Sequence, residues 1–353
     1  MSTPPPPDLL SAARSAGGAR ERAREALALQ IAVVAFVLAA LMALLVFRLQ
    51  PAPIAGPGSV GQYAALASAL TAVVAFLLGR AIAADPHRTR RLGVLDVIDI
   101  AALAFAHAVI ALLGWTLAAT IIEAGLIGAV VYPVPVLLLG GAAASVTAYV
   151  VFFSATHMDM ALLAIVLALF LVLGVLTSML TASDPQWWKE NLSALGMTDD
   201  LSARTFNLTL IVAGLLVTTL ARYATRGIPT TRRGGVRAVR TCLVVVGVFL
   251  GLVGVFPVDE FFWVHTAVAS GMAVAFGVLA FGLRRWIPGV TRTFLALGYL
   301  FILVIIVLAV FFATGYYTLT AVELIAGILV FTWIILFLRT ADALRRDAAT
   351  VAR

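Results

Sequence analysis

At 353 residues, with 63% hydrophobic residues, 12% charged residues and a mean hydropathy of +1.09, the chain carries far more apolar surface than a soluble domain can bury. A formal net charge of +7 would suit a nucleic-acid binder, but the basic residues fall in short clusters between apolar runs, a pattern that sets membrane topology. Nucleic acid is therefore not an expected partner, and the one cysteine, Cys242, excludes an intrachain disulfide.

The first 27 residues, with a PPPP run at Pro4 to Pro7 and Arg14, Arg20, Arg22 and Arg24, read as a disordered or surface-bound basic arm on the cytoplasmic side. The apolar run that follows is too long for a signal-peptide core and has no convincing cleavage site, so it reads as a retained span. Runs able to cross about 30 Å of hydrocarbon lie near 28–47, 62–84, 97–119, 129–154, 160–181, 205–223, 239–257, 262–283, 291–313 and 318–338. The expected fold is an all-α polytopic membrane helix bundle of about ten transmembrane helices. Pro133 and Pro135, followed by Gly140 and Gly141, predict a kinked or broken start to the fourth span. The spans divide evenly into halves, but no paired Gly/Pro breaks support an inverted repeat.

Assigning alternate loops to the cytoplasm puts the N-terminal arm, Arg80 with HRTRR (87–91), Arg222 to Arg240, Arg284 to Arg292 and the tail on one side. Of the 24 Lys and Arg residues only Arg48, Lys189 and Arg204 then fall outside, which predicts cytoplasmic termini. Lys189 is the sole lysine, a usage expected of a GC-rich bacterium, so the expected location is the bacterial cytoplasmic (inner) membrane, crossed many times. The external face collects Glu123, Asp184, Glu190, Asp199, Asp200, Asp259, Glu260 and Glu323. Trp187, Trp188, Phe261, Phe262, Trp263, Tyr316 and Tyr317 mark the same boundary. The expected organisation is an arm over 1–27, a four-helix unit over 28–158, a six-helix unit over 159–340 and a cytoplasmic tail over 341–353.

The longest polar interruption is SDPQWWKENLSALGMTDDLSARTFN (183–207). Asp184 is a good N-cap, Pro185 suits the first helical position and Gly196 suits a left-handed C′ position, so 185–195 is predicted as one interfacial helix. Trp188, Leu192 and Leu195 would share its apolar stripe.

An ionisable side chain at a span end is costly and by default meets a partner. Ser193, Arg204, Asn207, Asp259, His265 and Glu323 are expected to gather at the external rim, with Arg204 as counter-charge to Glu323 or Asp259. They would either tie loops to helix ends or form a lipid-headgroup pocket in which Arg204 faces phosphate. Ser193, His265 and Asp259 are also the residue types of a nucleophile, base and orienting acid, but no GxSxG elbow accompanies the serine. Asp96, Asp99 and His107 share one face of the third span, as helix-start acids and a packing histidine or as a proton path. His157 and Asp159 read as solvated loop residues, and Arg232, Arg233, Arg237 and Arg240 as topology determinants that also attract anionic lipid. Four histidines without HxxxH or HExxH spacing predict no metal site, and no cofactor is expected.

LSALG (Leu192 to Gly196), Phe206 and Asn207 with Gly214, and GVFP (Gly254 to Pro257) with Asp259 and His265 resemble the bacterial family known as domain of unknown function 998. That family is in turn similar to the Frag/DRAM/Sfk membrane proteins. The resemblance covers roughly 160–340 and implies a six-helix bundle with an outward polar site at Ser193, Asn207, Asp259 and His265. Eukaryotic relatives of such proteins are linked to lipid remodelling and lipid-kinase recruitment, which implies no reaction. The expected function is lipid binding or lipid-associated scaffolding, with membrane lipids as partners. The alternatives are a proton-coupled small-molecule transporter using Asp96, Asp99, His107 and Glu323, and an intramembrane lipid-headgroup hydrolase.

Overall fold

The computed structural model describes residues 7–84, 93–225, 228, 232 and 234–351. The HRTRR loop (87–91), Arg233 and the first six residues of the arm lie outside the described residues. Ten helices are long and apolar enough to cross a membrane: α1 (Pro7–Phe47), α2 (Val60–Ala83), α3 (Val94–Gly125), α4 (Pro133–Thr156), α5 (Met160–Thr181), α6 (Leu201–Ala224), α7 (Gly235–Val255), α8 (Phe262–Trp286), α9 (Arg292–Ala313) and α10 (Leu319–Val351). The protein is thus an all-α, multi-pass membrane protein.

Two local expectations change. Helix α1 begins at Pro7, so most of the arm is helical. Its ARERAREALAL segment is built from good helix formers, and Glu21 and Glu25 anchor it by accepting from His157 (2.8 Å) and the Tyr149 hydroxyl (2.7 Å). Residues Val130–Val131, expected inside the fourth span, pair antiparallel with Ala52–Pro53 as two short strands, β2 and β1. Pro133 explains the switch. It holds the preceding Tyr132 in extended backbone and occupies the first helical position, so α4 starts there.

The described residues fall into two compact units. One comprises those of Met1–Arg91 with His107–His157; the other comprises those of Leu92–Ala106 with Met158–Arg353. The first part of α3 therefore belongs with the later helices, not with 28–158.

In the first unit α4 packs against both α1 and α2. A methyl group added at Gly140 would come within 2.8 Å of the Tyr63 ring, and one at Gly141 within 3.0 Å of Phe36. In the second unit α6 touches α5, α7 and α10. Gly214 faces the Gly247 carbonyl and Gly251, so the α6 and α7 backbones meet directly. Trp333 is fully buried among Phe276, Phe294 and Phe337, with ring centroids 5.4, 4.9 and 5.7 Å away. Near the other end of α6, the buried Asp99 of α3 pairs with Arg222 and accepts from the Thr219 hydroxyl at 2.9 Å.

Candidate functional site

The α5–α6 loop (182–200), the α7–α8 turn (256–261) and the start of α10 meet at one end of the second unit. The loop does not form the single helix predicted over 185–195. It makes two 3-10 turns, Trp187–Lys189 and Leu192–Gly196, separated by Asn191 in extended backbone. A continuous helix would need the Leu192 N–H for the Trp188 carbonyl. Here that N–H donates instead to the Glu323 carboxylate at 2.6 Å.

Further bonds hold the loop to the helix ends. The Asn207 amide donates to the Gly196 carbonyl at 3.0 Å. Gly196 is not left-handed, as its place in the sequence suggested. It is required for space, because a side chain there would meet Asn207 and Phe206. Asp200 caps α6 by accepting from the Ala203 N–H at 2.9 Å and accepts from the Ser183 hydroxyl at 2.6 Å, which closes the loop across its base. The Ser183 hydroxyl, aided by the Ala203 N–H, lowers the Asp200 carboxyl to about 2.

His265 is buried, and both of its ring nitrogens are engaged. Nδ1 lies 2.7 Å from the Phe256 carbonyl, which can only accept, so Nδ1 carries the proton. In the neutral ring Nε2 then accepts from the Ser193 hydroxyl at 3.0 Å. Asp259, expected as the acid that orients this histidine, is replaced in that role by a backbone carbonyl.

Arg204 makes no ion pair with Glu323, Asp259 or any other carboxylate among the described residues. It lines a cavity of about 350 Å³ together with Asn207, Asp259, Glu260, Leu208 and Ile211. The six expected residues thus separate into a loop fastening of Ser193, His265 and Glu323 and a cavity bearing Arg204 and Asp259. Asn207 serves both.

The residues proposed as a proton path have separate partners. Asp96 accepts from the Gly93 N–H at 3.0 Å, and Asp99 is held by Arg222 and Thr219. His107, in the other unit, bonds the Ser154 hydroxyl at 2.8 Å and lies against Phe76. Two supposed loop residues prove structural: Asp159 caps α5 through the Leu162 N–H, and His157 stacks on Phe153 and reaches Glu21. Sequence reasoning also missed Asp200 as a cap, although an Asp just before an apolar helical run is a recognisable start signal. Glu260 was placed on the external face but not in a site.

The sequence model of a family described as Protein of unknown function (DUF998) matches residues 162–340. The chain belongs to that family. Both the loop fastening and the cavity lie within the DUF998 match, whereas Asp96, Asp99 and His107 lie before it. No curated protein and no solved structure matches the chain.

Proposed function

We propose that this DUF998 protein binds a phospholipid headgroup in the Arg204–Asp259 cavity, at the outer leaflet of a bacterial cytoplasmic membrane, without chemistry of its own. The carrying observation is the composition of that cavity. One guanidinium shares the lining with the carboxylates of Asp199, Asp259 and Glu260, and the wall continues into Leu208 and Ile211 of α6, both exposed on the helix flank. A phosphate suits Arg204, an ammonium suits the acids, and an acyl chain suits the apolar flank. These preferences select a zwitterionic phospholipid. Exposed Trp188, Trp263 and Tyr316 at this end support an interfacial depth for it. The resemblance to Frag/DRAM/Sfk proteins read from the sequence motifs, which implies relatives linked to lipid remodelling, supports a lipid ligand.

The test is mass spectrometry of the native lipid that co-purifies with wild type and with Arg204→Gln. Losing one charge-assisted phosphate contact should lower retention at least about tenfold. Identical lipid content in the two proteins would remove the reading.

A second reading rests on the Ser193–His265 contact, whose length and tautomer fit a nucleophile and its general base. The neighbouring amides count against it. The Leu192 N–H, and the Ser193 N–H beside it, are directed at Glu323, a carboxylate, and so are not free to stabilise an oxyanion. Labelling of Ser193 by a fluorophosphonate probe would put hydrolysis first.

A further inference from the structure

A different site lies at the opposite end of the same unit, where the start of α7 meets the end of α8. Val278, Phe281, Gly282 and Arg285 stand at i, i+3, i+4 and i+7, which places them on one face of α8. Gly234, in the left-handed region at φ 82°, turns the chain into α7. Gly235 then packs against the Trp286 carbonyl so closely that no side chain could be added. The Trp286 ring lies over Gly282, where an added methyl would meet it at 2.5 Å.

Beside these contacts lies a cavity of about 720 Å³ lined by Arg232, Arg285, Trp286, Val278 and Phe281. Its electrostatics differ from those of the first site. Two guanidinium groups line it, and no carboxylate is present among the described lining residues. The N-terminal end of the 21-residue α7 adds partial positive charge. The apolar wall is membrane surface, since Phe281 is 61% and Val278 50% exposed.

We propose that this cavity binds the phosphate of an anionic phospholipid, with Arg232 and Arg285 on the headgroup and the acyl chain along Val278 and Phe281. Paired guanidiniums recognise phosphate oxygens in a planar, bidentate manner. The exposed aromatic and aliphatic wall selects a lipid over a free anion, for which it offers nothing.

The test uses the full chain in mild detergent, titrated with phosphatidylglycerol, phosphatidylcholine or inorganic phosphate and followed by native mass spectrometry. Wild type should prefer phosphatidylglycerol over phosphatidylcholine by about thirtyfold, the attraction expected of two basic residues for an anionic lipid. The double variant Arg232→Gln/Arg285→Gln should lose most of that preference. Arg284→Gln, adjacent but outside the lining, should keep it. Both pocket arginines are exposed, and the thermal unfolding of the double variant, measured alongside, should match that of Arg284→Gln. In wild type, a photoreactive phosphatidylglycerol should crosslink within 278–286. An unchanged preference in the double variant, crosslinks elsewhere, or displacement of the lipid by millimolar inorganic phosphate would overturn the proposal.

Discussion

At Asp200 one carboxylate receives both the first-turn N–H of α6 and the hydroxyl of Ser183 from across the loop. Both donors favour the ionised form, which lowers its pKa from 3.8 to about 2. A depressed carboxyl stabilises the fold fully above its unfolded pKa and loses that contribution as pH falls through the folded value. The loop should therefore loosen between about pH 4 and pH 2, seen as a shift in the emission of Trp187 and Trp188. Asp200→Asn, which keeps the acceptor oxygen, should remove this acid sensitivity, and Asp200→Ala should cost about 1 kcal/mol in thermal unfolding. Individual partnerships were legible where two polar side chains had to find each other in apolar surroundings, as Ser193 and His265 do. They were not legible where a backbone group takes the place of a side chain. The Phe256 carbonyl displaces Asp259 from His265, and the Leu192 amide displaces Arg204 from Glu323. No pattern of residue types reports which main-chain groups are left unpaired at a loop.

Among the helices, glycine acts in two opposite ways. Gly214 brings α6 against the α7 backbone, so Gly214→Ala should drive a methyl into the Gly247 carbonyl and cost about 1–3 kcal/mol. Gly277, in α8, has open space around its α-carbon. Gly277→Ala should instead stabilise the protein by about 0.5–1 kcal/mol, because glycine in a helix interior carries excess unfolded entropy. Thermal unfolding of the two variants side by side checks both signs. Helix positions were readable from apolar runs because a span must satisfy its backbone internally over the full width of the hydrocarbon. The segment between Trp187 and Gly196 escaped the same logic. Its apolar spacing fits a helix, but a carboxylate more than a hundred residues later claims the amide on which continuity depends.

For the whole molecule, the distribution of arginine predicts that both termini and the Arg232–Arg285 end face the cytoplasm, and the aromatic girdle predicts the reverse for the Arg204 end. Substituted-cysteine labelling checks this after Cys242→Ser. A membrane-impermeant maleimide should modify Glu190→Cys in intact cells and Arg284→Cys only after lysis. The reverse labelling pattern would exchange the leaflets assigned to the two proposed lipid sites. Membership of an all-helical membrane family was readable from composition and short motifs. The division of α3 between two units was not, since it is one unbroken helix and only three-dimensional packing separates Ala106 from His107.

Asp99 stands far outside residues 162–340, yet Arg222 within them depends on it. Trimming the polypeptide to its family-matched half would strand a guanidinium near the end of a spanning helix, with its counterion deleted. The family-matched stretch is, in this protein, electrically incomplete without a borrowed turn of the upstream helix.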